Sequence, residues 1–369
     1  MKSESIYLDY AATTPTDEQV FNAAKPYYTD IFYNPASAHF LGQKANAAVE
    51  KARRQCAQAV NANADEIYFT SGGTESINLA LCGVGGGLAV SNIEHDATLA
   101  CAQKLSANGA DVRYIKVNGD GVVTPEALTE ALGERTALAC VMAVNNIVGS
   151  VQPIKRLAAA AHSKGVLFFT DAVQAVNSID IDVKDWGVDM LAVSGHKFYA
   201  PKGVGFLYVK RGVKLNPSLV GGNQEGGLRA GTHDVPAIVA MGEAIQKAKA
   251  LRTEYVSHVK RVADTFVKTL DCGKVIECAE KTDEIVSVVF RGKNGYIDGG
   301  RLATALSVEG VCCSVGSACS AGSATPPQTL LAMGVEHASS SVRFSFGRNT
   351  TVEQAKRAAQ TVNAVVKRF

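Results

Sequence analysis

Short apolar runs alternate with segments of helical composition through the middle of this chain. Seven runs rich in large aliphatic and aromatic residues predict strands at residues 67–70, 88–91, 112–117, 138–144, 166–170, 190–193 and 204–209. The segments between them predict helices at residues 75–81, 97–108, 125–132 and 153–164. Regular alternation of strands and helices predicts a mostly parallel sheet that helices cover on both faces. The alternation therefore restricts this part of the chain to the α/β class.

The pattern changes after the glycine-rich residues 221–227. A long predicted helix is followed by shorter strands and helices, and these elements are predicted at residues 236–270, 285–290, 298–307, 311–315, 342–346 and 352–366. A chain of 369 residues exceeds the usual size of one hydrophobic core. We therefore expect a large α/β domain of residues 15–249 and a smaller α+β domain of residues 1–14 and 250–369.

The charge balance and the cysteines limit the kinds of function that the chain can have. The net charge is +2 and no dense run of Lys or Arg occurs, so a nucleic-acid surface is not expected. The amino terminus lacks the pattern of a secretory signal, and no apolar stretch reaches membrane-spanning length. The nine cysteines include no C-x-x-C pair, which argues against a disulfide framework or a structural zinc site. We expect a soluble protein with free thiols in a reducing cytoplasm.

A lysine follows one of the predicted strands. Residues 190–203 read M-L-A-V-S-G-H-K-F-Y-A-P-K-G, so Ser194, His196 and Lys197 stand where the strand ends. In open α/β sheets, ligands bind just outside the carboxyl ends of the strands. Burying an ammonium group is costly, so a lysine there tends to lose its proton and become nucleophilic. Taken alone, the segment is also compatible with a surface lysine in a turn.

A glycine-rich turn follows the strand predicted at residues 67–70. Residues 71–76 read S-G-G-T-E-S and open a predicted helix. Glycines let the backbone approach an anion, and the free amides of a helix start attract phosphate. The turn lacks the lysine of a P-loop and the G-x-G-x-x-G of a dinucleotide site. The alternative is an ordinary helix start that Ser71 or Thr74 caps.

An acid ends the very apolar strand predicted at residues 166–170. Asp171 and Gln174 lie in F-F-T-D-A-V-Q, residues 168–174. A buried carboxylate needs a cationic partner or it protonates, although Asp171 could instead cap a helix. A nucleophilic lysine, an acid and an anion site at one sheet edge are what pyridoxal phosphate requires of a protein.

Motifs spread over nearly the whole chain resemble those of one enzyme family. In chain order they are Y-L-D-Y-A-A-T-T-P (7–15), N-P-A-S-A-H (34–39), F-T-S-G-G-T-E-S-I-N-L-A (69–80), I-E-H (93–95), V-N-N (144–146), D-A-V-Q (171–174), S-G-H-K-F-Y-A-P-K-G (194–203), R-A-G-T (229–232), G-S-A-C-S (316–320) and V-R-F-S-F-G (342–347). Their order and spacing resemble the cysteine desulfurases of the NifS/IscS type, pyridoxal-phosphate-dependent members of the class-V aminotransferases. The resemblance implies the fold type I architecture of such transferases.

The resemblance also implies a role for each matched residue around the cofactor. Lys197 would form the Schiff base with pyridoxal phosphate, Asp171 would pair with the pyridinium nitrogen, and Gln174 would hydrogen-bond the ring hydroxyl. His95 would stack on the ring and transfer protons. The residues implied to hold the phosphate are Gly73, Thr74, Ser194, His196 and, from the other subunit of a homodimer, Thr232.

Substrate binding and sulfur transfer follow from the same resemblance. Asn146, also a cofactor contact, and Arg343 would hold the substrate carboxylate, with Arg343 as a bidentate fork. Cys319 lies among small residues at about 316–327, for which we expect a mobile loop. It would be the nucleophile that takes sulfur from L-cysteine as a persulfide and leaves L-alanine. No resident metal is implied, although Cys319 could transiently ligate a nascent iron–sulfur cluster.

The destination of the sulfur stays open at this stage. The resemblance implies sulfur-acceptor proteins, either in iron–sulfur cluster assembly or in the thiolation of tRNA or another acceptor. Other reactions on the same fold are selenocysteine lysis and transamination. A homologue without turnover would instead be a binding or scaffold protein.

The chain departs from the family pattern at three places. Ile147 follows the paired asparagines where a glutamate is common, so that loop is expected to be hydrogen-bonded differently. Gln224 stands before Glu225 where a histidine is common. The sequence ends at Phe369, soon after the terminal helix, where many members continue. The resemblance implies that this shortens a region on which sulfur-acceptor scaffolds dock.

Overall fold

The computed structural model describes residues 5–316 and 326–369. The helices in these ranges are α1 (Glu18–Ala24), α2 (Pro26–Thr29), α3 (Phe40–Ala59), α4 (Gly73–Val84), α5 (Asp96–Ala107), α6 (Pro125–Ala131), α7 (Ile154–His162), α8 (Val183–Trp186), α9 (Val235–Thr269), α10 (Gly299–Val308), α11 (Gln328–Ala332) and α12 (Val352–Val366). The strands in these ranges are β1 (Ile6–Tyr7), β2 (Ile67–Thr70), β3 (Gly87–Ser91), β4 (Val112–Ile115), β5 (Thr136–Cys140), β6 (Leu167–Asp171), β7 (Met190–Ser194), β8 (Gly205–Val209), β9 (Lys274–Val275), β10 (Ile285–Val289), β11 (Arg291–Gly292), β12 (Gly295–Tyr296), β13 (Val311–Cys312) and β14 (Ser341–Ser345). Every predicted strand and helix is present, with ends shifted by a few residues.

Within the described residues, seven strands form one sheet in the order β2-β8-β7-β6-β5-β3-β4. The neighbours from β7 to β4 pair in parallel, whereas β8 runs antiparallel to both β7 and β2. The prediction of a mostly parallel sheet is therefore confirmed. The chain between β7 and β8 is too short for a crossover helix, so β8 can only return antiparallel.

The parallel strands bring several polar side chains to one edge of this sheet. Strands β3, β7 and β8 are buried along their whole length, as expected for strands covered on both faces. The carboxyl ends of parallel strands meet at one edge. Asp171 is the last residue of β6 and Ser194 the last of β7, so the predicted site residues converge there.

A second, smaller core lies around a three-stranded antiparallel sheet in the order β14-β10-β9. Phe266, Phe344 and Phe346 form its centre, and the ring centroids of Phe266 and Phe344 lie 4.7 Å apart. Helix α12 packs its buried alanines and valines against the same core. This part of the molecule agrees with the predicted α+β composition.

Helix α9 belongs to both cores. Its first turns bury Ile238 and Met241 in the core of the large sheet, and its last turns bury Val262 and Phe266 in the smaller core. The predicted domain boundary at residue 249 falls inside this helix and stays a prediction. Although α9 has 35 residues, neither it nor any other helix in the described ranges is long and apolar enough to cross a bilayer.

Helix α3 was not among the predicted elements. It spans 20 residues, and its buried side chains are small and recur at helical spacing, among them Ala45, Ala48, Ala52 and Cys56. The small residues let α3 and α9 pack closely. A side chain in place of Gly242 of α9 would put its Cβ 2.8 Å from the Ala52 Cα, which is too close. The signal was therefore an alanine repeat of period three to four, which a search for large apolar residues misses.

Glu284 joins the two cores and should make stability depend on pH. It is buried, and its side chain contacts the Ser178 hydroxyl across the interface. Burial raises its pKa from the ordinary 4.5 to about 7. The protonated form is favoured in the folded state, so this contribution is full below pH 4.5 and is lost as the pH rises through about 7. The loss is on the order of 3 kcal/mol.

The Glu284→Gln variant is expected to lose this part of the pH dependence. Chemical denaturation at pH 4.5, 6 and 8 should give a flatter profile of unfolding free energy for the variant than for the wild type. Glu130→Gln, at an exposed position of α6, is the control and should keep the wild-type profile. An unchanged slope in Glu284→Gln would contradict the prediction.

Candidate active site

A cavity of about 430 Å³ lies at the carboxyl ends of the parallel strands. The structure brings ten of the predicted site residues together in its lining: Gly73, Thr74, His95, Asn146, Asp171, Gln174, Ser194, His196, Lys197 and Arg343. Thr232 lies in an exposed loop and does not line this cavity. Cys319 and most of the predicted mobile loop lie outside the described residues.

Lys197 ends a single 3-10 turn, Gly195–Lys197, that follows β7 directly. Its Nζ donates hydrogen bonds to the carbonyl oxygens of Ala11 at 2.5 Å and Ala12 at 2.9 Å. The Asn177 Nδ2 donates to the Lys197 carbonyl at 2.9 Å and so fixes the turn. The alternative of a surface lysine is wrong, because this amine points into the cavity and is held by buried backbone. Sequence reasoning missed the two carbonyls, which carry no side-chain signal.

Asp171 lies at the bottom of the cavity and is only 4% exposed. Its Oδ1 accepts a hydrogen bond from the Val173 N–H at 2.8 Å. Burial raises the pKa of the carboxyl, although His95 and Lys197 nearby favour the ionised form. The residues after Asp171 form turns rather than a helix, so it is not a helix cap. A buried carboxyl of this kind is suited to a cationic partner in the cavity.

The start of helix α4 is open to an anion. Gly72 precedes it with φ +146°, and no side chain caps the helix. The alternative of an ordinary cap by Ser71 or Thr74 is therefore wrong. A Cβ on Gly73 would lie 3.0 Å from Val173 Cγ2, so only glycine leaves the turn uncrowded. Uncapped N–H groups at a helix start, beside the Ser194 hydroxyl, favour a phosphate.

The carboxylate of Glu75 would repel an anion at this helix start, but an ion pair with Arg229 offsets its negative charge. Its Oε1 accepts from Arg229 Nε at 2.8 Å, and its Oε2 accepts from the Ser71 N–H at 2.8 Å. Arg229 belongs to the R-A-G-T segment that also carries Thr232. The ion pair thus offsets the negative charge in the first turn of α4 and attaches the R-A-G-T segment to that helix.

Both histidines of the cavity are oriented by hydrogen bonds. His95 is the N-cap of α5, and its Nδ1 accepts from the Ala97 N–H at 3.1 Å. In the neutral ring the proton is then on Nε2. His196 Nδ1 lies 3.1 Å from the Thr13 hydroxyl. Burial, with the charge of Lys197 and Lys202, lowers the pKa of His196 to about 4, so it is neutral at pH 7.

Arg343, in β14, is the cation that the smaller core contributes to the cavity. It is 2% exposed and forms a buried ion pair with Asp9, with Nη2 to Oδ1 at 2.9 Å. Its Nη1 donates to the Asn146 carbonyl at 2.7 Å. Its Nε is buried and has no hydrogen-bond partner within the described residues. An unpaired donor on a buried guanidinium favours a carboxylate ligand.

The loop with Ile147 in place of glutamate is well hydrogen-bonded. The Ile147 N–H donates to Asn145 Oδ1 at 2.9 Å, and its carbonyl accepts from the Ser287 hydroxyl at 2.6 Å. The Ile147 side chain packs with Val148 and Leu330 in a small apolar cluster. Ile147 therefore contributes packing between the loop and α11.

The loop of residues 221–233 is anchored by Glu225, despite the departure at Gln224. Arg53 donates to both Glu225 oxygens, at 2.7 and 2.8 Å, and His233 contacts one of them. Burial alone would raise the pKa of Glu225, but these hydrogen bonds outweigh it and lower the pKa to about 2. The carboxylate is thus a fixed ionic anchor beneath the segment that carries Thr232.

The chain matches the family model described as "Aminotransferase class-V" over residues 6–357. The chain belongs to the class-V aminotransferase family. The predicted resemblance to the cysteine desulfurases of the NifS/IscS type is also confirmed. A protein named cysteine desulfurase IscS from Dictyoglomus turgidum is 38% identical over 380 residues, which cover 100% of this chain and 96% of the relative.

Solved structures of similar proteins agree with this assignment. A NifS-like protein superposes with a TM-score of 0.91 at 33% identity and covers 98% of this chain and 99% of its own. SspA, solved in complex with cysteine, gives a TM-score of 0.81 at 32% identity and covers 94% of this chain and 100% of its own. The predicted fold type I architecture is therefore confirmed.

Proposed function

We propose that this protein is a pyridoxal-phosphate-dependent cysteine desulfurase, which converts L-cysteine to L-alanine and takes the sulfur onto Cys319. The observation that carries the proposal is the meeting of Lys197, Asp171 and the uncapped start of α4 in one cavity. The names of the relatives and the cysteine-bound SspA support the choice of reaction and substrate.

The residues present fit the cofactor. The unpaired backbone donors at Gly73 and Thr74 are suited to its phosphate, together with Ser194 and His196. Among residues 5–316 and 326–369 no ion pair holds the buried carboxyl of Asp171, and a pyridinium nitrogen would provide a cationic partner. A cavity of about 430 Å³ is in the range of small-molecule sites.

Bound there, pyridoxal phosphate would supply an electron sink for the substrate's α-carbon. Lys197 would carry the cofactor and accept the α-proton at its Nζ. Gln174, whose Nε2 donates to the Ala11 carbonyl at 2.8 Å, would be held in place to contact the ring. His95 would stack on the ring and move a proton at Nε2.

Arg343 and Asn146 would hold the substrate carboxylate. The Arg343 Nε has an unused hydrogen, and its Nη1 already fixes the Asn146 backbone. A carboxylate that accepts from Nε and from one further N–H of the guanidinium would satisfy this buried donor. The substrate's orientation would then be set by a residue from the smaller core, opposite the lysine that removes the proton.

The Cys319 thiolate would attack the sulfur of the substrate. A new S–S bond forms, the substrate's Cβ–S bond breaks, and the carbon product leaves as L-alanine after it takes up a proton. Both flanks of the Cys319 segment support this assignment: Gly316 and Pro326 line a second cavity together with His95 and Asn146. Ser314 also pairs with Arg343 through two backbone hydrogen bonds, of 3.1 and 2.7 Å.

Partners and location belong to the same proposal. The family resemblance implies a homodimer in which Thr232, which is exposed and outside this chain's own cavity, completes the phosphate site of the partner subunit. The persulfide sulfur would pass to an acceptor protein in the cytoplasm, for iron–sulfur cluster assembly or for thiolation. Cys319 could also ligate a nascent cluster as its cargo.

The test is incubation of the cofactor-loaded protein with L-cysteine. We expect L-alanine, and a Cys319 peptide whose mass has increased by one sulfur atom. A keto acid with amino-group transfer would instead indicate transamination. Alanine from L-selenocysteine alone, without a sulfur adduct, would indicate selenocysteine lysis. Bound cofactor without any alanine would indicate a non-catalytic homologue.

A further inference from the structure

Asn145 is fully buried, and its side chain uses all its hydrogen-bonding capacity. Its Oδ1 accepts from the N–H groups of Ile147 at 2.9 Å and Val148 at 3.0 Å. Its Nδ2 donates to the Ile93 carbonyl at 3.0 Å and lies 3.3 Å from the Thr329 hydroxyl. Two of these contacts are within the loop of Asn145 itself, and the other two reach the distant residues Ile93 and Thr329, so one buried amide links three parts of the chain.

These contacts join three segments that carry groups of the proposed reaction. Ile93 lies two residues before His95. Asn146, which follows Asn145 in the chain, accepts a hydrogen bond from Arg343 at its backbone carbonyl. Thr329 stands in α11, shortly after the segment that carries Cys319. A second hydrogen bond connects the same two segments as the bond from Asn145 to Ile93: the Met142 N–H donates to Glu94 Oε1 at 2.7 Å. The His95 segment is thus held to the Asn146 loop at two points.

We propose that Asn145 is a positioning residue that fixes His95 relative to the Asn146–Arg343 pair. The inference rests on the proposed function and assigns a role to the first residue of the asparagine pair. Asn145 does not line the cavity and touches neither substrate nor cofactor. It sets the distance between the group that would move a proton and the groups that would hold the carboxylate.

The chemistry of the amide explains why asparagine is required at this position. A carboxylate could still accept from Ile147 and Val148, but it would place a negative oxygen against the Ile93 carbonyl. The segment before His95 would then move away. Misplacement by about 1 Å costs roughly 10²-fold in rate. The expected effect of Asn145→Asp is therefore on catalysis, in addition to any loss of stability.

The experiment compares Asn145→Asp with Asn363→Asp in the cofactor-loaded protein. Asn363 is a matched control, since it is buried in α12, accepts from the Asp271 N–H at 3.0 Å and donates to the Thr269 carbonyl at 2.9 Å. We expect kcat/KM for L-cysteine to fall about 10²-fold in Asn145→Asp and to change less than about twofold in Asn363→Asp. The visible circular dichroism of the bound cofactor, which would respond to the position of the proposed His95 stack, should change only in Asn145→Asp.

The outcomes separate this inference from the proposed function. Kinetics and dichroism of Asn145→Asp equal to those of the control would overturn the positioning role. Absence of alanine from the wild type would overturn the proposed function, while the dichroism comparison would still test Asn145. If Asn145→Asp does not fold, Asn145→Ser serves, because its hydroxyl can accept in the turn but cannot reach Ile93. The same change in circular dichroism is expected for Asn145→Ser, and an unchanged spectrum would equally contradict the positioning role of Asn145.

Discussion

Lys197→Ala is expected to abolish the yellow absorbance of the Schiff base in the cofactor-loaded protein and to lower alanine formation by roughly 10⁴-fold or more. The reason is geometric. The Lys197 amine is delivered into the cavity by the turn after β7 and is held there by the carbonyls of Ala11 and Ala12. Alanine leaves the cradle at Gly73 and the carboxyl of Asp171 in place, so the cofactor could still bind without a covalent link.

Absorbance and borohydride trapping measure this directly. Borohydride reduction of the wild type should attach the cofactor mass to the peptide that contains Lys197. Lys214→Ala is the control, because Lys214 is an exposed lysine that does not line the cavity and should leave the absorbance unchanged. A trapped adduct on Lys202, which also lines the cavity, or a covalent borohydride adduct in Lys197→Ala, would show that the lysine is wrongly assigned.

Cys319→Ser should separate cofactor binding from sulfur transfer. The variant is expected to keep the yellow absorbance and to lose sulfide release from L-cysteine by about 10²–10³-fold, since serine cannot form a persulfide. The thiols of the cores cannot replace it. Cys56 and Cys140 are completely buried, and burial raises the pKa of both.

Cys278→Ser is the matched control for that experiment. Cys278 is only partly buried, and burial raises its pKa to about 11, so its thiolate is scarce at neutral pH. Sulfide release should be unaffected in this variant. If release instead survives in Cys319→Ser and is lost in Cys278→Ser, the acceptor is a different thiol from the one proposed.

The sequence could predict the parts of the site that are side chains at strand ends. Lys197 and Asp171 follow apolar runs, and the geometry of a parallel sheet carries such residues to a common edge. The Ala11 and Ala12 carbonyls could not be predicted in this way. They are backbone groups of a segment that pairs with neither β6 nor β7, and their position depends on how the chain crosses between the two cores.

Some side chains escaped prediction because their partners lie far away in the chain. Glu225 is an anchor only because it accepts hydrogen bonds from Arg53 and from the Phe69 N–H. Both partners lie more than 150 residues before it in the chain. Asn145 had a clear motif context, but the distance to Ile93 and Thr329 is visible only in three dimensions. Local patterns indicate which residues end a strand; they do not indicate which loops those residues hold.

The unbroken course of α9 has a mechanical consequence. Rotation of one core against the other would have to bend a 35-residue helix and break its backbone hydrogen bonds. The Asp9–Arg343 ion pair and the Glu284–Ser178 contact would break with it. The molecule therefore resists hinge closure, and Arg343 and Lys197 line one cavity before any amino acid enters. A substrate would therefore enter a cavity in which the lysine, the carboxyl of Asp171 and the guanidinium are already in place.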